Sequence, residues 1–210
     1  MNTPVKDDAV HMRRAIDLAL ARMGETWPNP AVGCVLVKDG VVLAEAATAP
    51  GGRPHAEEQA VPAAGEAVKG ATAYVTLEPC GARSSGRKSC AHFLGEAGVT
   101  RVVIAALDPS PFASGRGTER LRQSGLTVET GLLAEDAAVL CEGFLHRLET
   151  GRPIVRVSED GQGFDGRFVA SPRRFSSVVR SARGEAGYTR LWTNEGELAD
   201  ALREQGLLSA

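Results

Sequence analysis

One histidine, one glutamate and two cysteines have the residue types and the order of a catalytic metal site. His55 is followed two residues later by Glu57, Cys80 comes directly after a proline, and Cys90 lies further along the chain. One imidazole and two thiolates are a favourable ligand set for Zn²⁺, and three protein ligands leave a fourth position for water. Zinc-bound water loses a proton near neutral pH. The sequence therefore predicts that His55, Cys80 and Cys90 hold a zinc ion that activates water.

Glu57 is well placed in the sequence to carry protons for such a water molecule. Because Glu57 lies in the same predicted helix start as His55, its carboxylate can face the same cavity. It can take a proton from the water and pass it to a ring nitrogen and a leaving amine. A His-x-Glu pair followed by Pro-Cys is the signature of zinc-dependent base deaminases. The motif thus predicts hydrolytic deamination, with Glu57 as the catalytic residue.

Each of these residues alone has a simpler explanation. An isolated His55 could cap a helix or fill a core, and Glu57 could be a solvated first-turn acid that suits the helix dipole. Cysteines could pair as disulfides, although disulfides are rare in the cytosol. The joint occurrence of the four residues favours the metal site. The other two cysteines, Cys34 and Cys141, lie in apolar patterns and are predicted to be core residues.

The overall composition argues against several classes of protein. The chain is 43% hydrophobic and 24% charged, with a net charge of −2, so it has no global attraction for nucleic acid or anionic membranes. Its N-terminus is acidic where a signal peptide would be basic, and no apolar run reaches the roughly 18 residues of a membrane span. We therefore expect a cytoplasmic protein that has neither a membrane nor a nucleic-acid partner.

Hydrophobic periodicity predicts alternating helices and strands up to about residue 150. Apolar spacing of three and four residues predicts helices at 9–23, from 55 onward, and at 90–96, 118–124 and 133–148. Runs of β-formers predict strands at 31–37, 41–47, 71–78, 99–107 and 126–130, the first two joined as a hairpin. Pro62 should kink or end the helix that begins at His55. This alternation predicts an α/β fold with three layers and a mixed sheet, and it places the metal ligands at strand-to-helix junctions.

Several motifs around these residues resemble one family. They lie at 29–33 (NPAVG), 55–57 (HAE), 74–80 (YVTLEPC), 108–111 (DPSP), 115–117 (GRG), 144–146 (FLH) and 150–153 (TGRP). On these motifs the chain resembles the riboflavin-biosynthesis pyrimidine deaminases, which form the N-terminal half of bifunctional deaminase–reductase proteins. The long gap between Cys80 and Cys90 points the same way.

The resemblance implies a cytidine deaminase-like fold, a zinc cofactor and a specific reaction. In that reaction the 2-amino group of 2,5-diamino-6-ribosylamino-4(3H)-pyrimidinone 5′-phosphate leaves as ammonia, which gives 5-amino-6-(5-phosphoribosylamino)uracil. The resemblance also implies contacts to this pyrimidine nucleotide at Asn29, at Asp108 and in the loop after Asp108, which includes Ser110, Gly115 and Gly117.

The stretch between the two cysteines departs from the family pattern. Residues 81–89 (GARSSGRKS) lack the usual histidine, and Ser110 stands where asparagine is common. Arg83, Arg87 and Lys88 could still bind a phosphate, because guanidinium pairs well with phosphate, or they could form a solvated basic loop. Three functions therefore stay open: the riboflavin-pathway deamination, deamination of an altered substrate in specialised metabolism, and a catalytically lapsed, zinc-stabilised partner subunit.

Residues 151–210 are predicted to form a short C-terminal extension to a deaminase domain at residues 1–150. Residues 153–157 resemble the first strand of the family's reductase, and residues 192–206 have a strand-then-helix pattern. We interpret the extension as a truncated reductase remnant that serves as a docking or dimer element, without reductase activity. A separate reductase would then be a partner, and we expect a homo-oligomer, either a dimer or a tetramer.

Overall fold

Up to Thr150 the chain alternates helices and strands in the predicted order. The structure is a computed structural model that describes residues 5–83, 86–109, 115–161, 164, 166–171, 174–178 and 190–208. The helices in this part are α1 (Val5–Leu20), α2 (Ala56–Ala64), α3 (Cys90–Glu96), α4 (Arg116–Gln123) and α5 (Ala134–Thr150). The strands are β1 (Gly33–Lys38), β2 (Val41–Ala47), β3 (Thr72–Leu77), β4 (Arg101–Ala106) and β5 (Thr127–Thr130).

These five strands form one mixed sheet in the order β2-β1-β3-β4-β5. Strand β1 is antiparallel to both β2 and β3, whereas β3, β4 and β5 are parallel. Asp39 and Gly40 both have positive φ, at 51° and 76°, which is the backbone twist that a two-residue hairpin turn requires. The predicted α/β fold with a mixed sheet is confirmed.

Helices cover both faces of the sheet. Helices α1 and α5 contact each other and the central strands, while α2, α3 and α4 contact one another in series. Helix α1 packs closely on β1, since a Cβ on Gly33 would stand 1.9 Å from the carbonyl oxygen of Ala15. Among the described residues, no helix is long and apolar enough to cross a membrane.

Pro62 lies inside α2, and the helix ends two residues later at Ala64. A 3₁₀ turn, Gly65–Val68, follows directly. The predicted early end of this helix is therefore close to what is observed, because a proline beyond the first turn lacks the N–H for the hydrogen bond to residue 58 and crowds that turn. Helix α4 begins at Arg116, two residues before the predicted start.

The remaining described residues form a second sheet of four strands. Its strands are β6 (Ile154–Val157), β7 (Gly166–Ser171), β8 (Arg174–Val178) and β9 (Arg190–Thr193), in the order β6-β9-β7-β8, and α6 (Glu197–Glu204) follows β9. The sequence predicted β6 and the β9–α6 pair but not β7 or β8. The carboxylate of Glu142 on α5 accepts hydrogen bonds from Arg156 and Arg190, which ties the second sheet to the first part of the chain.

Candidate active site

The structure brings His55, Cys80 and Cys90 together. Their ligand atoms all lie within 4.8 Å of one another. The Nδ1 atom of His55 is 3.3 Å from Sγ of Cys90, and the backbone N–H of Cys90 donates a hydrogen bond to Sγ of Cys80 at 3.2 Å. Zinc–nitrogen and zinc–sulfur bonds of about 2.0 and 2.3 Å place tetrahedral ligands at this kind of mutual distance. One imidazole and two sulfurs at this spacing fit a zinc ion.

Two helix starts hold these ligands in place. His55 is the N-cap of α2, and its backbone N–H donates to Oε2 of Glu58 at 2.9 Å. Cys90 is the first residue of α3, whose N-cap Ser89 accepts a hydrogen bond from the backbone of His92. Cys80 follows the end of β3. Capping fixes the first turn of each helix, so the local positions of His55 and Cys90 follow from the sequence around them.

The charges and hydrogen bonds around the ligands favour the thiolate form of Cys80 and the charged form of Glu58. Hydrogen bonding with Cys90 lowers the pKa of the Cys80 thiol against the opposing effect of burial, and His55 and Arg83 add to this. A thiolate is the metal-binding form of cysteine. Burial alone would raise the pKa of Glu58, but Arg83 and the His55 backbone outweigh it and lower that pKa to about 2.

Glu57 is buried beside the ligands, in the first turn of α2. Only 2% of Glu57 is exposed, and burial raises the pKa of its carboxyl group although His55 opposes the shift. A carboxyl group with a raised pKa exchanges protons closer to neutral pH, as a general acid and base must. The burial and position of Glu57 therefore suit the proton-carrying role predicted for it.

A cavity of about 200 Å³ opens onto these residues. Six of the residues singled out from the sequence line it: Asn29, His55, Glu57, Cys80, Arg83 and Asp108. Its apolar walls include Pro28, Phe144 and Leu148. A concave, mostly apolar pocket with a few convergent polar groups is the usual form of a small-molecule site.

Asn29 is held at the cavity by two loops that pack on each other. Its backbone N–H donates to the carbonyl of Thr26, and the Thr26 hydroxyl donates back to the Asn29 carbonyl, both at 2.9 Å. Gly52 lies against the Asn29 side chain, since a Cβ there would stand 2.6 Å from Nδ2. The backbone of Asn29 is thus held by Thr26, and its side chain packs against Gly52.

The other residues predicted to contact substrate lie elsewhere or have protein partners. Arg83 lines the cavity, but its guanidinium is taken up by Glu58 and Cys90. Arg87 is exposed and does not line the cavity. Ser110 lies outside the described residues.

The two glycines after Ser110 serve packing and hydrogen bonding within the protein. Gly117 is buried against Pro79, where a Cβ would stand 1.8 Å from the carbonyl oxygen. Gly115 has a φ of 81°, and its N–H donates to Glu78 at 3.1 Å. The Pro79 carbonyl explains the glycine at position 117, and the positive φ explains the glycine at position 115. Their contacts to substrate stay a prediction.

Two residues of the site were not assigned a role from the sequence. Glu78 lines the cavity and accepts hydrogen bonds from the backbone N–H groups of Gly115 and Thr118, the latter at 2.8 Å. Arg53 is exposed, lines the same cavity and makes no ion pair with any described residue. The only sequence signal for Glu78 was its place directly before Pro-Cys, and the only one for Arg53 was its place directly before Pro54–His55.

Comparison with known proteins agrees with this geometry. Residues 5–106 match the family model of the cytidine and deoxycytidylate deaminase zinc-binding region. The riboflavin biosynthesis protein RibD of Escherichia coli is 46% identical over 160 residues, which is 76% of this chain and 43% of that protein. The chain thus spans less than half the length of this relative.

A solved structure and a shorter relative extend the comparison. Acinetobacter baumannii RibD superimposes with a TM-score of 0.66 and 45% identity, over 74% of this chain and 45% of that one. The diaminohydroxyphosphoribosylamino-pyrimidine deaminase of Buchnera aphidicola is 42% identical over 149 residues, which is 70% of this chain and 99% of that protein. Since the match covers nearly all of the Buchnera protein, this chain belongs to the diaminohydroxyphosphoribosylaminopyrimidine deaminases, a family of zinc-dependent deaminases.

Proposed function

We propose that this chain hydrolyses the 2-amino group from 2,5-diamino-6-ribosylamino-4(3H)-pyrimidinone 5′-phosphate. The products would be ammonia and 5-amino-6-(5-phosphoribosylamino)uracil. The observation that carries the proposal is that a buried glutamate, Glu57, lines one cavity together with a histidine and a cysteine of a zinc-ligand set. The kinship with the Buchnera deaminase supports the choice of substrate.

The proton transfers are assigned to Glu57. Zinc held by His55, Cys80 and Cys90 supplies an acidified water molecule when bound. The Glu57 carboxylate takes a proton from this water and donates it to the pyrimidine ring nitrogen beside the reacting carbon. It then takes the second proton from the hydroxyl group that has added to the carbon and passes it to the amino group, which leaves as ammonia while the oxygen remains on the carbon as a carbonyl. Burial raises the pKa of Glu57, which suits a group that accepts a proton and gives it up again.

Asn29 and Asp108 are proposed to orient the pyrimidine and the ribose. Both line the cavity, and both can hydrogen-bond to polar substrate atoms. Asn29 is held by its backbone and by the packing of Gly52, so it would meet the ring with little loss of side-chain freedom. Fixed hydrogen-bonding groups of this kind orient a substrate for reaction.

Arg53 is proposed to bind the 5′-phosphate. Three other cations near the site are engaged elsewhere or point away: Arg83 pairs with Glu58, Lys88 pairs with Glu96, and Arg87 lies outside the cavity. Within the described ranges, Arg53 is the cation that lines the cavity without an ion pair. Guanidinium pairs with phosphate through two parallel hydrogen bonds.

The C-terminal residues 151–210 and the reductase step that would follow deamination are part of the same proposal. The reductase step is assigned to a separate protein, and residues 151–210 to docking or to contacts within a homo-oligomer. The second sheet of this region is held to α5 by the ion pairs of Arg156 and Arg190 with Glu142.

Complementation of a riboflavin auxotroph that lacks only the deaminase activity tests the proposed function. The full chain should restore growth without riboflavin, and the Glu57→Gln variant, expressed at the same level, should not. Growth restored equally by both would rule out the assigned chemistry. No growth with the wild-type chain, combined with deamination of another pyrimidine by the pure protein, would favour an altered substrate.

A further inference from the structure

A chain of three hydrogen bonds joins two of the metal ligands through residues outside the ligand set. Oε2 of Glu58 accepts from the backbone N–H of His55 at 2.9 Å, and Oε1 accepts from Nη1 of Arg83 at 2.7 Å. The other terminal nitrogen of Arg83, Nη2, donates to Sγ of Cys90 at 3.2 Å. The bonds therefore run from the start of α2, through the loop after Cys80, to the start of α3.

The burial of Arg83 shows that this arrangement is not a surface contact. The Arg83 side chain is 2% exposed, and that of Glu58 is 20% exposed. A guanidinium loses much hydration energy when it is buried, so it needs an opposite charge and hydrogen-bond acceptors around it. Glu58 supplies the opposite charge, and the sulfur of Cys90 supplies the second acceptor.

The fork shape of arginine suits two acceptors at once. Its terminal nitrogens are fixed in one plane, so a single guanidinium can donate to a carboxylate on one side and a sulfur on the other. Lysine carries the same charge at one compact ammonium group and lacks the planar pair of terminal nitrogens that matches this arrangement. Charge and geometry at this position can therefore be separated by experiment.

We propose that Arg83, oriented by Glu58, is a positioning residue for the zinc site. Its N–H···S bond draws electron density from Cys90, and its pairing with Glu58 fixes the start of α2 relative to α3. Hydrogen bonds from outer residues orient metal ligands and tune the metal in this way. A weaker sulfur donor leaves the metal a stronger acid toward its water. Through Arg83, the loop between the cysteines thus acts on the metal.

The experiment uses the full chain, loaded with zinc or with cobalt(II), and needs no substrate. The test variants are Arg83→Gln, Arg83→Lys and Glu58→Gln. The matched control is Arg87→Gln, which removes an exposed arginine from the same loop outside the cavity. Zinc affinity is measured by competition with a chromophoric chelator, and the sulfur-to-cobalt charge-transfer band by absorption.

We expect Arg83→Gln to weaken zinc binding about 10- to 100-fold, because the starts of α2 and α3 are no longer held together, and this loss outweighs the gain from a more electron-rich sulfur. The charge-transfer band should move to longer wavelength, because the sulfur electrons are no longer stabilised by the N–H group. Arg83→Lys should weaken zinc binding despite keeping the charge, Glu58→Gln should weaken it to a smaller extent, and Arg87→Gln should match the wild type. If Arg83→Gln does not fold, Arg83→Lys gives the same two readouts.

Wild-type zinc affinity in both Arg83 variants would overturn the proposal, and so would an unchanged cobalt band in a variant that releases zinc faster. The inference rests on the metal site of the proposed function but not on its substrate. A failure of the substrate assignment would leave these measurements unaffected, so the two can fail separately.

Discussion

Gly117 at the start of α4 lies against the carbonyl oxygen of Pro79, and a Cβ at that glycine would stand 1.8 Å from this oxygen. Pro79 directly precedes the zinc ligand Cys80, so α4 packs on the backbone that carries a ligand. Glu78 strengthens this contact by accepting hydrogen bonds from the N–H groups of Gly115 and Thr118. The helix after β4 is thereby tied to the ligand loop after β3.

Gly117→Ala should therefore disturb the zinc site from a distance. The added methyl group meets backbone rather than a flexible side chain, and overpacking of this kind costs about 1–3 kcal/mol of stability. We expect a lower melting temperature together with weaker zinc binding, measured by thermal unfolding and chelator competition.

Gly95→Ala is the matched control for this substitution. Gly95 lies within α3, where a Cβ would make ordinary contact at 3.4 Å with Ser124. Alanine is favoured over glycine in a helix by up to about 1 kcal/mol, so the melting temperature should stay the same or rise. Equal behaviour of the two variants would contradict the packing argument.

Glu57→Gln should abolish turnover while the metal stays bound. The amide keeps the size of the carboxyl group but cannot carry the proton, and loss of a general acid–base group costs about 10²- to 10⁴-fold in rate. Zinc content measured by atomic absorption should remain near one ion per chain. Loss of zinc along with activity would instead assign Glu57 a structural role.

Arg53→Gln should affect the phosphorylated substrate selectively. Loss of a charged hydrogen bond corresponds to roughly a 10- to 100-fold loss in kcat/KM, expected mainly as a higher KM. The dephosphorylated nucleoside, assayed in parallel, should be processed equally by wild type and variant. Arg87→Gln, the control, should change neither. Equal losses on both substrates would exclude phosphate binding by Arg53.

Asp8 on α1 should make stability depend on acid pH. Hydrogen bonds from Arg101 at 3.0 and 2.7 Å and from Tyr74 at 2.6 Å hold the pKa of Asp8 below its usual range, although burial opposes the shift. A lowered folded-state pKa means that the unfolded chain binds the proton more readily. The stabilisation is therefore complete above the unfolded pKa of about 3.9 and is lost as pH falls through the folded value.

Asp8→Asn tests this sign. At pH 7 the free energy of unfolding of the variant should be about 2 kcal/mol lower than that of the wild type. This difference should shrink below about pH 4. Urea unfolding of the zinc-free proteins at several pH values measures it without a contribution from the metal. A difference that stays constant down to pH 3 would contradict the assignment.

The metal ligands could be predicted because their residue types and spacing are themselves the signal. His55, Cys80 and Cys90 belong to a motif that few other chemistries use, and the alternating pattern of strands and helices places them at two adjacent junctions. The fold up to Thr150 followed from the same periodicity, with element ends that differ by a few residues. The local sequence was sufficient to predict a residue's place in the fold wherever a single turn or strand determined that place.

Longer-range contacts could not be predicted in this way. The position of the Arg83 side chain depends on Glu58, which lies on α2 and is brought beside the loop of Arg83 only by the fold. The reason for a glycine at position 117 is a carbonyl oxygen in a loop that lies far away in the sequence. Strands β7 and β8 lack a strong alternating pattern, and their pairing with each other and with β9 depends on the second sheet as a whole.

The most direct test of the central claim is ammonia release by the pure, zinc-loaded full chain from 2,5-diamino-6-ribosylamino-4(3H)-pyrimidinone 5′-phosphate. We predict one ammonia for each molecule of substrate consumed, appearance of 5-amino-6-(5-phosphoribosylamino)uracil, and loss of both with Glu57→Gln. Folded protein that holds one zinc per chain and releases no ammonia from this substrate would contradict the account.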